Sequence, residues 1–112
     1  MNFEELQGLI IDLAAEKEQL HPDNAKKQFK EFVEASYEFN TAMVQLCRLE
    51  GVNKKLYVED VKNTMGLMLM DLIILCEQLG IDPIECLGMA YEKISKRKGK
   101  TINGVFVKEE DL

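Results

Sequence analysis

The chain has 112 residues, of which 30% are charged, and its twenty acidic against fourteen basic residues give a net charge of -6. The length predicts one domain, residues 1–112, with a core of modest size. The acidic balance argues against nonspecific binding to nucleic acid or to an anionic membrane surface.

The first residues, Met1 to Glu5, place no basic run ahead of an apolar one, so no signal peptide is expected. Cys47, Cys76 and Cys86 lie in apolar helical patterns without CxxC or His/Cys metal spacing. They read as buried free thiols in a reducing, cytoplasmic setting.

Phe3, Leu6, Leu9, Ile10, Leu13 and Ala14 recur at helical spacing and predict a first amphipathic helix over 3–19. His21-Pro22-Asp23-Asn24 breaks it, and Asp23 or Asn24 can cap the next helix. That second helix is expected over 24–49, with Phe29, Phe32, Val33, Tyr37, Ala42, Met43, Leu46 and Cys47 as its apolar positions and Gly51 as its stop. Residues 51–57 read as a polar connection.

The third helix, about 58–79, holds the most apolar stretch of the chain. From Met65 to Cys76 only Gly66 and Asp71 interrupt the apolar residues. A helix apolar nearly all round must be surrounded. The run is too short for a membrane span, which takes about 20 apolar residues. The expectation is a central helix, buried in a bundle and packed in part against a second subunit.

Gly80 ends that helix. Asp82 suits an N-cap, Pro83 a first turn and Glu85 the return arm of a capping box, so a fourth helix is expected over 83–97. Ile84, Leu87, Tyr91 and Ile94 form its expected inner face. Beyond Gly99 the period changes, and Asn103-Gly104 between β-formers predicts a short hairpin or extended arm.

Two groups of residues bear on chemistry. Glu34 and Glu38 are one turn apart beside Val33 and Tyr37, which reads either as half of a divalent-metal site or as a solvated acidic edge. Five of the eight residues from 93 to 100 are basic: Lys93, Lys96, Arg97, Lys98 and Lys100. They read as compensation of a helix dipole or as a phosphate clamp.

The order of these features, with Ala90-Tyr91-Glu92-Lys93-Ile94-Ser95-Lys96-Arg97-Lys98-Gly99-Lys100, Asn103-Gly104 and Phe106, resembles the MazG-like all-α nucleotide pyrophosphohydrolases of the short phage and bacterial type. The resemblance covers nearly the whole chain and is strongest from Leu72 onward. It implies an all-α, MazG-like four-helix bundle with a C-terminal hairpin, assembled as a homodimer or homotetramer. It also implies hydrolysis of nucleoside triphosphates to monophosphate and pyrophosphate, with Mg²⁺ held by an EExxE motif on one helix and an ExxD motif on the next.

The first motif falls on Glu34-Ala35-Ser36-Tyr37-Glu38, where its second Glu is Ala35. The second falls on Thr64-Met65-Gly66-Leu67, where Glu is replaced by Thr64 and Asp by Leu67. Mg²⁺ takes several hard oxygen ligands in near-octahedral geometry, and hydrolysis needs it to gather charge and activate water. Three lost carboxylates therefore point away from turnover.

The basic positions are kept. The sequence thus predicts a catalytically inactive MazG-like protein that binds, and in a phage sequesters, a nucleotide or nucleotide-derived signal without a metal cofactor. Lys93, Arg97 and Lys100 would hold phosphate, and Tyr37 would stack on a base. Glu34 and Glu38 would accept hydrogen bonds, and Asn24 and Gln28 would read a base edge. The alternatives are an active pyrophosphohydrolase with Mg²⁺ on Glu34, Glu38 and Asp71, and an interaction module that kept only the fold.

Overall fold

A computed structural model describes residues 1–48 and 54–112. The expected stop at Gly51 and the first part of the 51–57 connection lie outside the described residues. Among the described residues there are four α-helices, α1 (Phe3–Glu16), α2 (Ala25–Arg48), α3 (Lys54–Leu79) and α4 (Pro83–Ser95), followed by strands β1 (Gly99–Ile102) and β2 (Val105–Lys108). The chain forms two compact units, Met1–Ile81 and Asp82–Leu112. Among the described residues no single helix is long and apolar enough to cross a membrane.

Capping explains most of the boundaries. The Asn2 side chain accepts from the Glu5 amide at 2.8 Å and starts α1. The Asp82 carboxylate accepts from the Ile84 amide at 2.9 Å, with Pro83 in the first turn of α4. Gly80 takes φ 68° and ends α3, where the Ile81 amide donates to the Cys76 carbonyl at 2.8 Å.

α1 stops at Glu16 rather than 19, because Glu18 adopts φ 57° and the Gln19 amide turns back to the Ala14 carbonyl. α4 stops at Ser95 rather than 97, since Lys96 and Arg97 form the turn into β1. α3 begins earlier than expected. Lys54, Lys55, Leu56 and Tyr57 are its first turn and not a polar connection, since none of the four is a helix breaker.

Within Met1–Ile81, α3 lies at the centre and packs against both α2 and α1. Helices α2 and α3 run antiparallel, with Gln28 near the start of α2 bonded to Asp71 near the end of α3. Every seventh residue of α2 on the contact side, Gln28, Ala35 and Ala42, is buried. The short alanine side chains let the helices approach closely. On α3 the matching stripe is Val61, Thr64, Met68, Asp71, Leu75 and Gln78, all buried or half-buried. Ile73 and Ile74 are buried beside it, as is Ala14 of α1.

A third face of α3 is uncovered. Met65, Leu69, Leu72 and Leu79 are 45%, 50%, 38% and 53% exposed. The expectation of a helix buried all round is therefore corrected for the single chain, because α1 and α2 cover two sides and leave the third. On α1, Phe3, Leu6, Leu9 and Leu13 are likewise exposed. The cysteines are not buried either: Cys47 and Cys86 are exposed and Cys76 is half-buried.

In Asp82–Leu112, β1 and β2 pair antiparallel from Gly99 opposite Lys108 to Ile102 opposite Val105. Asn103 and Gly104 take φ 51° and 79°, the conformation of a two-residue hairpin turn. A side chain at Gly99 would collide with the Val107 carbonyl across the ladder. The expected inner face of α4 is corrected: Ile84, Leu87, Tyr91 and Ile94 are all exposed, since the short β1–β2 hairpin of the same unit does not bury them.

Candidate functional site

The first unit gathers carboxamides where α1 ends, α2 begins and α3 ends. Left-handed backbone at Glu18 is uncommon for a residue with a side chain and carries strain. It turns the Gln19 carbonyl toward α2 and α3. That carbonyl accepts from Gln78 Nε2 at 2.8 Å and from Asn24 Nδ2 at 3.4 Å. Beside it, Gln28 Nε2 donates to Asp71 Oδ1 at 2.9 Å. The Gln19 bond fixes which way the Gln78 amide points, since a flip would set two oxygens together. Gln78 Oε1 is then left buried without a hydrogen-bond partner.

These groups surround a polar cavity of about 240 Å³, lined by Lys17, Glu18, Gln19, Asn24, Lys27, Gln28, Glu31 and Gln78. Burial pushes the Asp71 carboxyl above its ordinary value, and the nearby Glu31 carboxylate pushes the same way. The bond from Gln28 acts in the opposite direction.

A second hollow of about 630 Å³ adjoins it, lined by Asp23, Lys26, Lys27, Phe29, Lys30 and Val33. Phe29 is 54% exposed, an aromatic ring among three ammonium groups. The first turn of α2 contains no acidic residue. Cations at a helix N-terminus oppose its dipole, so this clustering is unfavourable for the isolated helix and favourable for a bound anion. Lys27 lines both hollows.

Of the expected site residues in the first unit, Asn24 and Gln28 come together on the polar cavity. Glu34 and Glu38 do not join them. Both are exposed, as a solvated acidic edge would be. The contact side of α2 is set by Gln28, Ala35 and Ala42, a different side of the helix. Tyr37 is 70% exposed.

The altered motif positions have structural roles. Ala35 is buried in the α2–α3 contact. The Thr64 hydroxyl donates to carbonyls of its own helix, Asp60 at 2.9 Å and Val61 at 3.2 Å. Leu67 is exposed. Among the described residues no three His, Cys, Asp or Glu side chains come together as a metal-ligand set, so Glu34, Glu38 and Asp71 are not gathered into one.

The basic candidates belong to the second unit. Lys93 is in the last turn of α4, Arg97 in the turn between α4 and β1, and Lys100 in β1. A hollow of about 400 Å³ is lined by Arg97, Lys98, Lys108, Glu109 and Glu110, so Arg97 reaches it together with two carboxylates. All three basic side chains are exposed.

The sequence reading missed Lys26, Lys27, Lys30 and Phe29. A signal was present: three lysines in five residues directly after a helix start, around an aromatic. It also missed Gln19 and Gln78, whose partnership spans 59 residues and leaves no local trace. Compared with models of protein families, with curated proteins and with solved structures, the chain matches none.

Proposed function

We propose that this chain is a cytoplasmic, MazG-like protein that binds a nucleotide or nucleotide-derived signal and does not turn it over. In a phage setting it would sequester that signal. The observation that carries the reading is the pair of adjoining hollows at the start of α2. One offers carboxamides from Asn24, Gln28 and Gln78, which suit the donor and acceptor edge of a base. The other offers Lys26, Lys27 and Lys30 for phosphate and Phe29 for stacking. Lys93, Arg97 and Lys100 form a further basic group for an anion in the second unit. The proposed partners are this small molecule and further copies of the chain, as a homodimer or homotetramer. No nucleic acid or membrane is among them.

Absence of turnover is supported by the donor set. Ala35 and Leu67 carry no oxygen, the Thr64 hydroxyl is bonded to its own helix, and Glu34 and Glu38 stand on an exposed face. Mg²⁺ would have too few protein oxygens to replace its water.

The test is incubation of the protein with nucleoside triphosphates and cyclic or ADP-ribose-type nucleotides in the presence of Mg²⁺. The free pool is measured by mass spectrometry before and after heat denaturation. The expected result is a nucleotide that disappears and returns intact on heating. Lys27→Ala with Lys30→Ala is expected to weaken uptake at least tenfold. Release of monophosphate and pyrophosphate would show a working hydrolase instead, and a pool unchanged throughout would favour the interaction module.

A further inference from the structure

The lining of the polar cavity divides by exposure. Its four charged residues, Lys17, Glu18, Lys27 and Glu31, are exposed, whereas Gln28 and Gln78 are 5% and 3% exposed. The cavity therefore has a rim of two ammonium and two carboxylate groups around a neutral carboxamide floor. At about 240 Å³ it is smaller than the roughly 300–1,000 Å³ of pockets that enclose a whole drug-sized ligand, so it takes one part of a molecule.

The floor meets the rest of the chain through nitrogen. Gln78 Nε2 donates to the Gln19 carbonyl and Gln28 Nε2 donates to Asp71 Oδ1. The bond to Gln19 pins the Gln78 amide, and its oxygen stays buried without a partner. An unmet buried acceptor burdens the empty protein, and a guest that brings an N–H removes the burden. An ammonium would also donate, but it would give up its hydration against a floor that carries no charge. The matching group is a neutral N–H donor.

We propose that this cavity takes a base with an exocyclic amine, of the adenine or cytosine type, and that the amine donates to Gln78 Oε1. The proposal rests on the nucleotide reading above and names the base. Adenine and cytosine carry the amine where hypoxanthine, guanine and uracil carry an oxygen. An oxo base would set two acceptors against each other at Gln78. Its ring N–H stands next to its own oxygens, so turning that group to the floor brings an oxygen along. A site built to bond one ligand group rejects the analogue that lacks it.

Equilibrium dialysis of the full chain against matched pairs tests this. The pairs are ATP with ITP, CTP with UTP, and ADP-ribose with its inosine analogue, each differing in the amine alone or in the amine-to-oxo exchange at that position. In the pair that the chain takes up, the amino member is expected to bind at least tenfold more tightly. Gln78→Met is expected to bring that ratio to about one, a change that a merely structural role of Gln78 would not produce. If the variant fails to keep its far-ultraviolet helical signal, the wild-type ratio decides. Equal or tighter binding of the oxo member overturns the proposal and leaves the nucleotide reading standing. A preference that survives in folded Gln78→Met overturns it as well. Uptake of none of the six compounds overturns the nucleotide reading of the hollows, and this proposal with it.

Discussion

Two sides of α3 reverse the usual order of a helix in a small protein. The side turned to α2 carries the half-buried Asp71 and the buried Gln78, with the buried Gln28 facing them. The side turned away carries Met65, Leu69, Leu72 and Leu79, and these are open. Burying a carboxamide or carboxyl is tolerated only where its hydrogen bonds are made, and exposed apolar rows are retained only where something covers them. The inner side is thus an organised polar contact next to a cavity. The outer side is an apolar row left open to solvent.

Four substitutions break or sharpen this contrast. The largest effect is expected from Ala35→Glu, which restores the second carboxylate of the EExxE pattern. Ala35 is 7% exposed against α3, so the new carboxylate would be buried without a partner. Urea denaturation is expected to show a loss of about 3 kcal/mol or more, with no gain of Mg²⁺-dependent hydrolysis.

A smaller effect separates the two buried glutamines. Gln28→Met strips the partner from Asp71 and is expected to cost about 2 kcal/mol. Gln78→Met loses the bond to the Gln19 carbonyl but also removes the unpartnered Oε1, and is expected to cost under about 1 kcal/mol. Equal losses in the two denaturation curves would mean that Oε1 is satisfied in solution.

The smallest effect is one of pH. The folded-state pKa of Asp71 is raised above its ordinary value, so the folded protein holds this proton more firmly than the unfolded chain does. Its contribution to stability is fully present below the unfolded value of 3.8 and is lost as pH rises through the folded value. Asp71→Asn keeps an acceptor for Gln28 and carries no charge. It is expected to raise the thermal midpoint at neutral pH, with a gain that shrinks toward pH 4. A gain that is constant with pH would remove titration of Asp71 as its cause.

What was legible in the sequence was what local chemistry writes. Asp82-Pro83 gave a helix start, Gly80 a helix end and Asn103-Gly104 a hairpin turn, each within four residues of the structure it determines. The early stop of α1 was hidden because Glu18 carries a conformation normally left to glycine. The first turn of α3 was hidden because Lys54 and Lys55 look polar but form helix well. The polar cavity was only half legible. Asn24 and Gln28 stood out beside each other, but a lone Gln78 reads as a surface residue until the fold brings it to Gln19. The apolar run of α3 was read as requiring cover on every side, which the single chain does not supply.

One lysine forms a wall of both hollows at the start of α2. An anion held in the larger one would draw on the Lys27 charge that the smaller one also feels, so on the proposed reading the two occupancies would be energetically linked. Such linkage is reciprocal: whatever one guest does to the affinity of the other, the other does in return. A molecule that spans both hollows escapes the competition, because it meets the shared ammonium once. Selection between short and long ligands would then arise from a single side chain, without any movement of the backbone.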